Sequence, residues 1–175
     1  SSHNHIVSYV ASYEDESAYY LVLEYCSHGS LISYINHKSQ ENECWYNECI
    51  IYEIVSCLVS VIAYAHKSGI VHRDICLENI LISSHGQYKL CGWDDAEIIE
   101  DDNSVFNDFV GSNIYNLSPE TVCIRHAWEL KKIDVFAVGA IAFILSFGCV
   151  PFPGVQLSEI RKKILRQQLN FPANW

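Results

Sequence analysis

From Val135 to Val150 the chain carries no charge and a single hydroxyl, Ser146, and Asp134 stands immediately before the run. A membrane-spanning helix needs roughly 20 apolar residues, and this run is shorter. A helix that is apolar on every side must instead lie at the centre of a core. The run therefore predicts a buried helix over Ile133 to Phe147, and other elements must cover it on all sides. A chain of 175 residues in which 50% are hydrophobic and 18% charged has the material to do so. It is one domain's worth, and this composition excludes a disordered chain.

A second long helix is predicted from Cys44 to Lys67. Ile51, Ile54, Val55, Leu58, Ile62 and Ala65 recur at helical spacing, and Gly69 follows where a left-handed residue ends a helix. Ile6 to Tyr9 and Tyr19 to Tyr25 read as an antiparallel pair of strands around the acidic turn Glu14-Asp15-Glu16. Ser30 caps a short helix reaching about Asn36. Ile70-Val71, Ile80 to Ile82 and Tyr88 to Cys91 are short strands, and Leu157 to Gln167 is an amphipathic helix. Gly92 to Glu120 has little periodicity and reads as a long ordered loop, a kind of segment that is usually functional. Strands and helices do not alternate, which excludes a doubly wound sheet and leaves an α+β plan.

Lys plus Arg number 11 and Asp plus Glu 21, a net charge of −10. That balance speaks against nucleic-acid backbone as a partner and suits basic peptides or proteins. The N-terminus is polar from its first residue, so no signal peptide is visible, and no membrane insertion is expected. There is no methionine, even at position 1, so the chain reads as an excerpt of a longer product. Eight cysteines lie at 26, 44, 49, 57, 76, 91, 123 and 149 without a C-x-x-C pair. Scattered thiols of this kind read as reduced and mostly buried, in an intracellular, cytoplasmic protein. His3-Asn4-His5 has the spacing of a metal-binding pair but reads as solvated loop.

The chemistry sits in a short stretch. His72-Arg73-Asp74 is followed by Asn79, the H-R-D-x-x-x-x-N spacing of protein-kinase catalytic loops. Ser118-Pro119-Glu120 is similar to the A-P-E that closes the activation segment, and Asp134-Val135-Phe136-Ala137-Val138-Gly139 is similar to the family's D-V-W-S-L-G helix. On these residues the chain resembles a eukaryotic-type Ser/Thr protein kinase catalytic domain, partial and degenerate. The resemblance implies a protein-kinase-like fold truncated at both ends, with a remnant of the N-lobe sheet and a mainly helical C-lobe. Residues 1–26 would be two N-lobe strands and the hinge, and residues 27–175 the C-lobe.

The resemblance also implies roles. ATP and Mg2+ are the family's cofactors, and a protein is its substrate or partner. Leu23 would stand at the gatekeeper position, Glu24 and Cys26 in the hinge, and Leu81 under the adenine ring. Asp74 would accept the substrate's hydroxyl proton, and Asn79 would hold one magnesium ion. His72 completes the motif, Arg73 would pair with charge on the activation segment, and Asp134 would fix the catalytic loop through its backbone. Glu120 would be a structural carboxylate whose arginine partner in the family lies beyond Trp175.

Four departures bear on activity. Where the family has Asp-Phe-Gly, this chain has Gly92-Trp93-Asp94, which removes the carboxylate that bridges magnesium to phosphate. Asp94 is a weak metal candidate: in an extended segment it faces the same way as residue 92, one step along. Trp93 takes the phenylalanine's apolar slot, and its indole N–H needs a partner if buried. Cys76 replaces the lysine that contacts the transferring phosphate. The Gly-rich loop with its lysine and helix glutamate is absent, and so are the last C-lobe helices. Glu97, Glu100, Asp101 and Asp102 read as a solvated acidic loop, with mimicry of an activating phosphate as the alternative. An impaired kinase is expected, with a non-catalytic scaffold or a non-functional fragment as alternatives.

Overall fold

The computed structural model describes residues 3–40, 47–99, 118–119, 127–169 and 171–172. Strands β1 (Tyr9–Glu14) and β2 (Tyr19–Leu23) pair antiparallel, and helices α1 (Leu31–Gln40) and α2 (Glu48–Lys67) follow. Two pairs of short strands and two more helices complete the described part of the fold. β3 (Ile70–Val71) pairs with β6 (Glu97–Ile98), and β4 (Ile80–Ile82) with β5 (Tyr88–Leu90), all antiparallel. Helix α3 spans Ala127–Phe147 and α4 spans Leu157–Leu165.

Helix α3 is the centre. Ala137, Val138, Ile141 and Leu145 join Ile54, Leu58, Val61 and Ile62 of α2 in one core. The β4–β5 hairpin closes the same core with Ile80, Ile82 and Leu90, and Leu31 of α1 caps it. By length and composition alone α2 is apolar enough to cross a membrane. Here its apolar stripe is spent on α3 and the hairpin. The β1–β2 pair is different, because every residue of β2 is exposed.

Several boundaries differ from those the sequence suggests. The first strand starts at Tyr9 because Ile6 and Val7 pair elsewhere: Val7 N–H donates to the Leu90 carbonyl, and Ile6 bridges Leu90 in parallel. Helix α1 runs to Gln40 rather than Asn36. Helix α2 begins at Glu48, where Asn47 Oδ1 accepts from the Ile50 N–H at 3.1 Å, and residues 44–46 lie outside the described part. Helix α3 begins six residues before Ile133, and α4 ends at Leu165. The loop after Gly92 carries a 3₁₀ turn, Trp93–Asp95, and the strand β6.

Six thiols are described and all are free. Cys26, Cys57 and Cys76 are buried, Cys91 is half-buried, and Cys49 and Cys149 are exposed, so burial holds for half of them.

Gly69 shows why a glycine follows α2. Its φ is +73°, and a Cβ there would lie 3.0 Å from the Ile99 carbonyl oxygen. Its own carbonyl accepts from the Ile99 N–H at 2.7 Å, which brings β6 back beside β3.

The central position of α3 sets a mutational expectation. Ile141 is fully buried, and Ile141→Ala is expected to destabilise by about 2–5 kcal/mol in urea unfolding. Val135 on the same helix is 58% exposed, and Val135→Ala is expected to change stability by less than ~0.5 kcal/mol.

Candidate functional site

The catalytic-loop motif lies between β3 and β4, over the junction of α2 and α3. Asp134 is buried at 1% exposure on α3 and collects three donors. His66 at the end of α2 donates Nε2–H to its Oδ2 at 2.7 Å, and the His72 N–H donates to the same oxygen at 2.9 Å. The Arg73 N–H donates to Oδ1 at 2.9 Å. A buried carboxylate is tolerated only when its lone pairs are satisfied in this way.

The loop then ties itself together. His72 donates Nε2–H to the Cys91 carbonyl at 2.9 Å, and its Nδ1 accepts from the Asp74 N–H at 3.2 Å. One donor nitrogen and one acceptor nitrogen define a neutral ring. Burial lowers the pKa of His72, against the raising effect of the Cys91 carbonyl and nearby aspartates. Asn79, in the 3₁₀ turn Leu77–Asn79, donates from Nδ2 to the Asp74 carbonyl at 2.8 Å and to Asp74 Oδ2 at 3.0 Å. Asp74 and Asn79 are thus brought together.

Arg73 has φ 67°, a left-handed backbone unusual for a non-glycine residue. Its Nε–H donates to the Asp95 carbonyl at 2.6 Å, and its Nη2 lies 3.3 Å from Glu97 Oε2. Glu100, Asp101 and Asp102, the other acidic residues read as phosphate mimics, lie outside the described residues, as do Ser104, Ser112 and Glu120. Ser118, which opens the Ser-Pro-Glu motif, is fully buried.

At the missing aspartate the geometry is tight. Gly92 has φ +75°, and a Cβ there would fall 2.5 Å from Asn79 Cγ and 2.6 Å from Nδ2 and Oδ1. Asp94 is exposed, in the 3₁₀ turn that begins at Trp93. The extended geometry assumed from sequence does not apply here: a left-handed residue followed by a 3₁₀ turn breaks the period of two that would align positions 92 and 94. Trp93 is half-buried against the core and packs on His72 at a ring separation of 4.5 Å. Its Nε1 is buried and finds no partner among the described residues. Cys76 is buried, and burial pushes its thiol up to about 12, so it is uncharged near neutral pH. Among the described residues no three His, Cys, Asp or Glu side chains gather as a metal site.

Glu24, which the resemblance would place on the adenine side, is held by a part-buried ion pair to Lys89. Lys89 on β5, 8% exposed, places Nζ 2.8 Å from Glu24 Oε1 and 2.9 Å from Oε2. The Ser8 N–H donates to the same carboxylate at 3.1 Å, and the Glu24 N–H donates to the Ser8 carbonyl at 2.8 Å. The Lys89 hydrogen bond holds Glu24 below the usual carboxylate range. Leu23 ends β2 and is 41% exposed, Cys26 is buried, and Leu81 is half-buried in β4. Sequence reasoning missed Lys89 and His66 as partners of Glu24 and Asp134. Both pairs join residues 65 or more positions apart, for which one sequence offers no local signal.

The neutral His72 ring makes stability depend on pH. An unfolded histidine titrates near 6.5, and the folded pKa lies lower. The unfolded chain therefore binds more protons below about pH 6.5, and stability falls as pH drops from there toward the folded pKa. In urea melts between pH 7 and 5, the native chain is expected to lose up to about 1.4 kcal/mol per pH unit more than His72→Asn. Equal slopes would show that His72 does not titrate on unfolding.

A family model described as the protein kinase domain matches residues 1–174. The chain is similar to CDPK-related kinase 1 of Arabidopsis thaliana, 30% identical over 179 residues that cover 100% of this chain and 30% of that protein. It is similar to the Aurora kinase of Candida glabrata, 32% identical over 98% of this chain and 46% of the relative. It is also similar to the serine/threonine-protein kinase PrkC of Bacillus subtilis, 32% identical over 99% of this chain and 26% of the relative. The chain spans less than half the length of each of these proteins. With the family's loop motif anchored on Asp134 and a match over nearly every residue, the chain belongs to the protein kinase domain family and is Ser/Thr kinase-like.

Proposed function

We propose that phosphoryl transfer is impaired in this chain and that it acts as a non-catalytic, pseudokinase-type module that binds a protein partner. The observation that carries the reading is that the Asn79 amide occupies the space a side chain at position 92 would need. Magnesium in phosphate sites is held at 2.0–2.1 Å by one or two carboxylates plus phosphate oxygens. Position 92 offers no carboxylate, and a Cβ there would run into the amide of Asn79. That amide directs its NH2 to Asp74. The magnesium of the family does not fit this set of residues. The neutral Cys76 thiol supplies no positive charge to a transferring phosphate either.

The remaining assignments belong to the same reading. Residues 1–26 are a partial N-lobe with its hinge, and residues 27–175 a partial C-lobe. Leu23, Glu24, Cys26 and Leu81 are the residues that would border adenine. His72 and Arg73 stand with Asp74 and Asn79 as the residues of the catalytic loop, and Trp93, Glu120 and Asp134 are structural. The module works inside the cell. The second reading is an active Ser/Thr kinase, and one observation favours it: Asp74 is held by Asn79 on a loop fixed by Asp134.

Thermal melts with ATP alone and with Mg·ATP separate the two. Binding to the folded state alone raises the melting temperature. The impaired reading expects a cooperative melt that magnesium does not shift. A magnesium-dependent rise of about 5–10 °C at a hundredfold excess over the dissociation constant, lost in Asp94→Asn, overturns the argument from the missing carboxylate, and transfer of phosphate from Mg·ATP to a protein hydroxyl then establishes the active reading.

A further inference from the structure

His3-Asn4-His5 does not lie as a solvated loop. The His5 N–H donates to His3 Nδ1 at 3.2 Å, and a backbone N–H can only donate, so that nitrogen carries no proton. The neutral ring then holds its proton on Nε2, which donates to the Ser60 hydroxyl of α2 at 3.0 Å. The ring also packs on Tyr64, one turn further along α2, with centroids 5.1 Å apart. His5 holds the other side, where its Nδ1–H donates to the Tyr88 carbonyl of β5 at 2.9 Å. Next in line, the Leu90 N–H donates to the His5 carbonyl at 2.8 Å, and the Val7 N–H donates to the Leu90 carbonyl at 3.0 Å. Residues 3–7 thus form a strap that ties the start of β1 to α2 and to the end of β5, two residues before Gly92. Ile6 in the strap is one wall of a cavity of about 380 Å³ that Tyr64, Ile70 and Trp93 also line.

Protonation of His3 undoes this arrangement. A proton on Nδ1 sets one donor against another at the His5 N–H. The titratable groups that face the ring are His5 on the strap, 5.8 Å away between centroids, and Tyr64 on α2. Burial first, and then the charge of His5, lowers the pKa of His3. His5 itself is tolerant, because its bond to Tyr88 uses an N–H that the imidazolium keeps. We propose that residues 3–7 are a pH-operated latch, closed while His3 is neutral and released from α2 and β5 when His3 takes a proton, with the helical core intact. Release frees both backbone groups of Leu90 and opens one wall of the cavity beside Trp93. A free histidine titrates near 6.5 and the closed one lower, so opening takes up a proton and grows as pH falls below about 6.5. The latch does not depend on whether phosphate is transferred, so it does not stand or fall with the impaired reading.

The test is amide hydrogen exchange of the full chain, followed by NMR between pH 7 and pH 5 and corrected for the intrinsic effect of pH on exchange. The Val7 and Leu90 amides are expected to open several-fold more often as pH falls, with a ceiling of about tenfold per pH unit. The Leu58 and Ile141 amides, inside α2 and α3, are expected to change less. His3→Asn keeps an acceptor for the His5 N–H but does not titrate, and it is expected to remove the extra response of Val7 and Leu90. Equal responses in the native chain and His3→Asn overturn the proposal. So does a Val7 rate that follows Leu58 and Ile141 at every pH, because the strap then opens only with the whole fold. If His3→Asn does not fold, titration of the His3 ring in the native chain decides. A midpoint shared with the opening of Val7 supports the latch, and a Val7 rate unchanged across that midpoint overturns it.

Discussion

The buried carboxylate of Asp134 is the constraint on which the site depends. It receives one donor from α2 and two consecutive backbone N–H groups from the loop after β3. A carboxylate at 1% exposure is unstable without such partners, and two adjacent N–H groups left inside the fold would be as costly without an acceptor. Each side therefore requires the other. The exchange fixes the distance between the two core helices and also forces the turn at Arg73, where φ is positive. Helix packing and loop shape become one cooperative unit. A change in α3 that moves Asp134 also moves Asp74, although no residue of α3 is part of the H-R-D motif.

How much of this was legible in the sequence followed the range of each interaction. The central helix was legible because Val135 to Val150 offers no polar face to solvent, and α2 because its apolar residues recur at helical spacing. The loop motif was legible because its residues are fixed within eight positions. The start of β1 was not legible: Ile6 and Val7 have strand-like composition but pair with Leu90, more than eighty residues on. The Glu24–Lys89 and His66–Asp134 pairs were hidden for the same reason. The turn after Gly92 was misread as extended because its conformation follows from a left-handed glycine, and a glycine alone does not announce which of its allowed regions it occupies.

Charge in the loop region is arranged in closed pairs. Arg73 faces Glu97, and Lys89 faces Glu24. Both cations are largely buried, so each is committed to its partner. Where the resemblance would place a lysine toward the transferring phosphate, Cys76 is neutral. In a chain of net charge −10, this leaves the loop with carboxylates and little to attract a polyphosphate. The same arrangement is compatible with a stable fold, because each pairing meets a burial requirement that exists whether or not a nucleotide is present.

That separation explains how the family's loop motif can stand beside two positions that lack the family's charged side chains. His72, Arg73 and Asn79 each make contacts that hold the loop, and a buried donor or acceptor left unmatched there destabilises the fold. Positions 76 and 92 are different. A cysteine at 76 buries without needing a charge partner, and a glycine at 92 satisfies a left-handed turn and leaves room for the Asn79 amide. Both can lose their charged side chains and leave no buried group unpaired. The H-R-D-x-x-x-x-N spacing is thus strong evidence for the fold, because the fold needs its hydrogen bonds. Evidence for transfer has to come from the positions that the fold does not need, and here those positions carry glycine and cysteine.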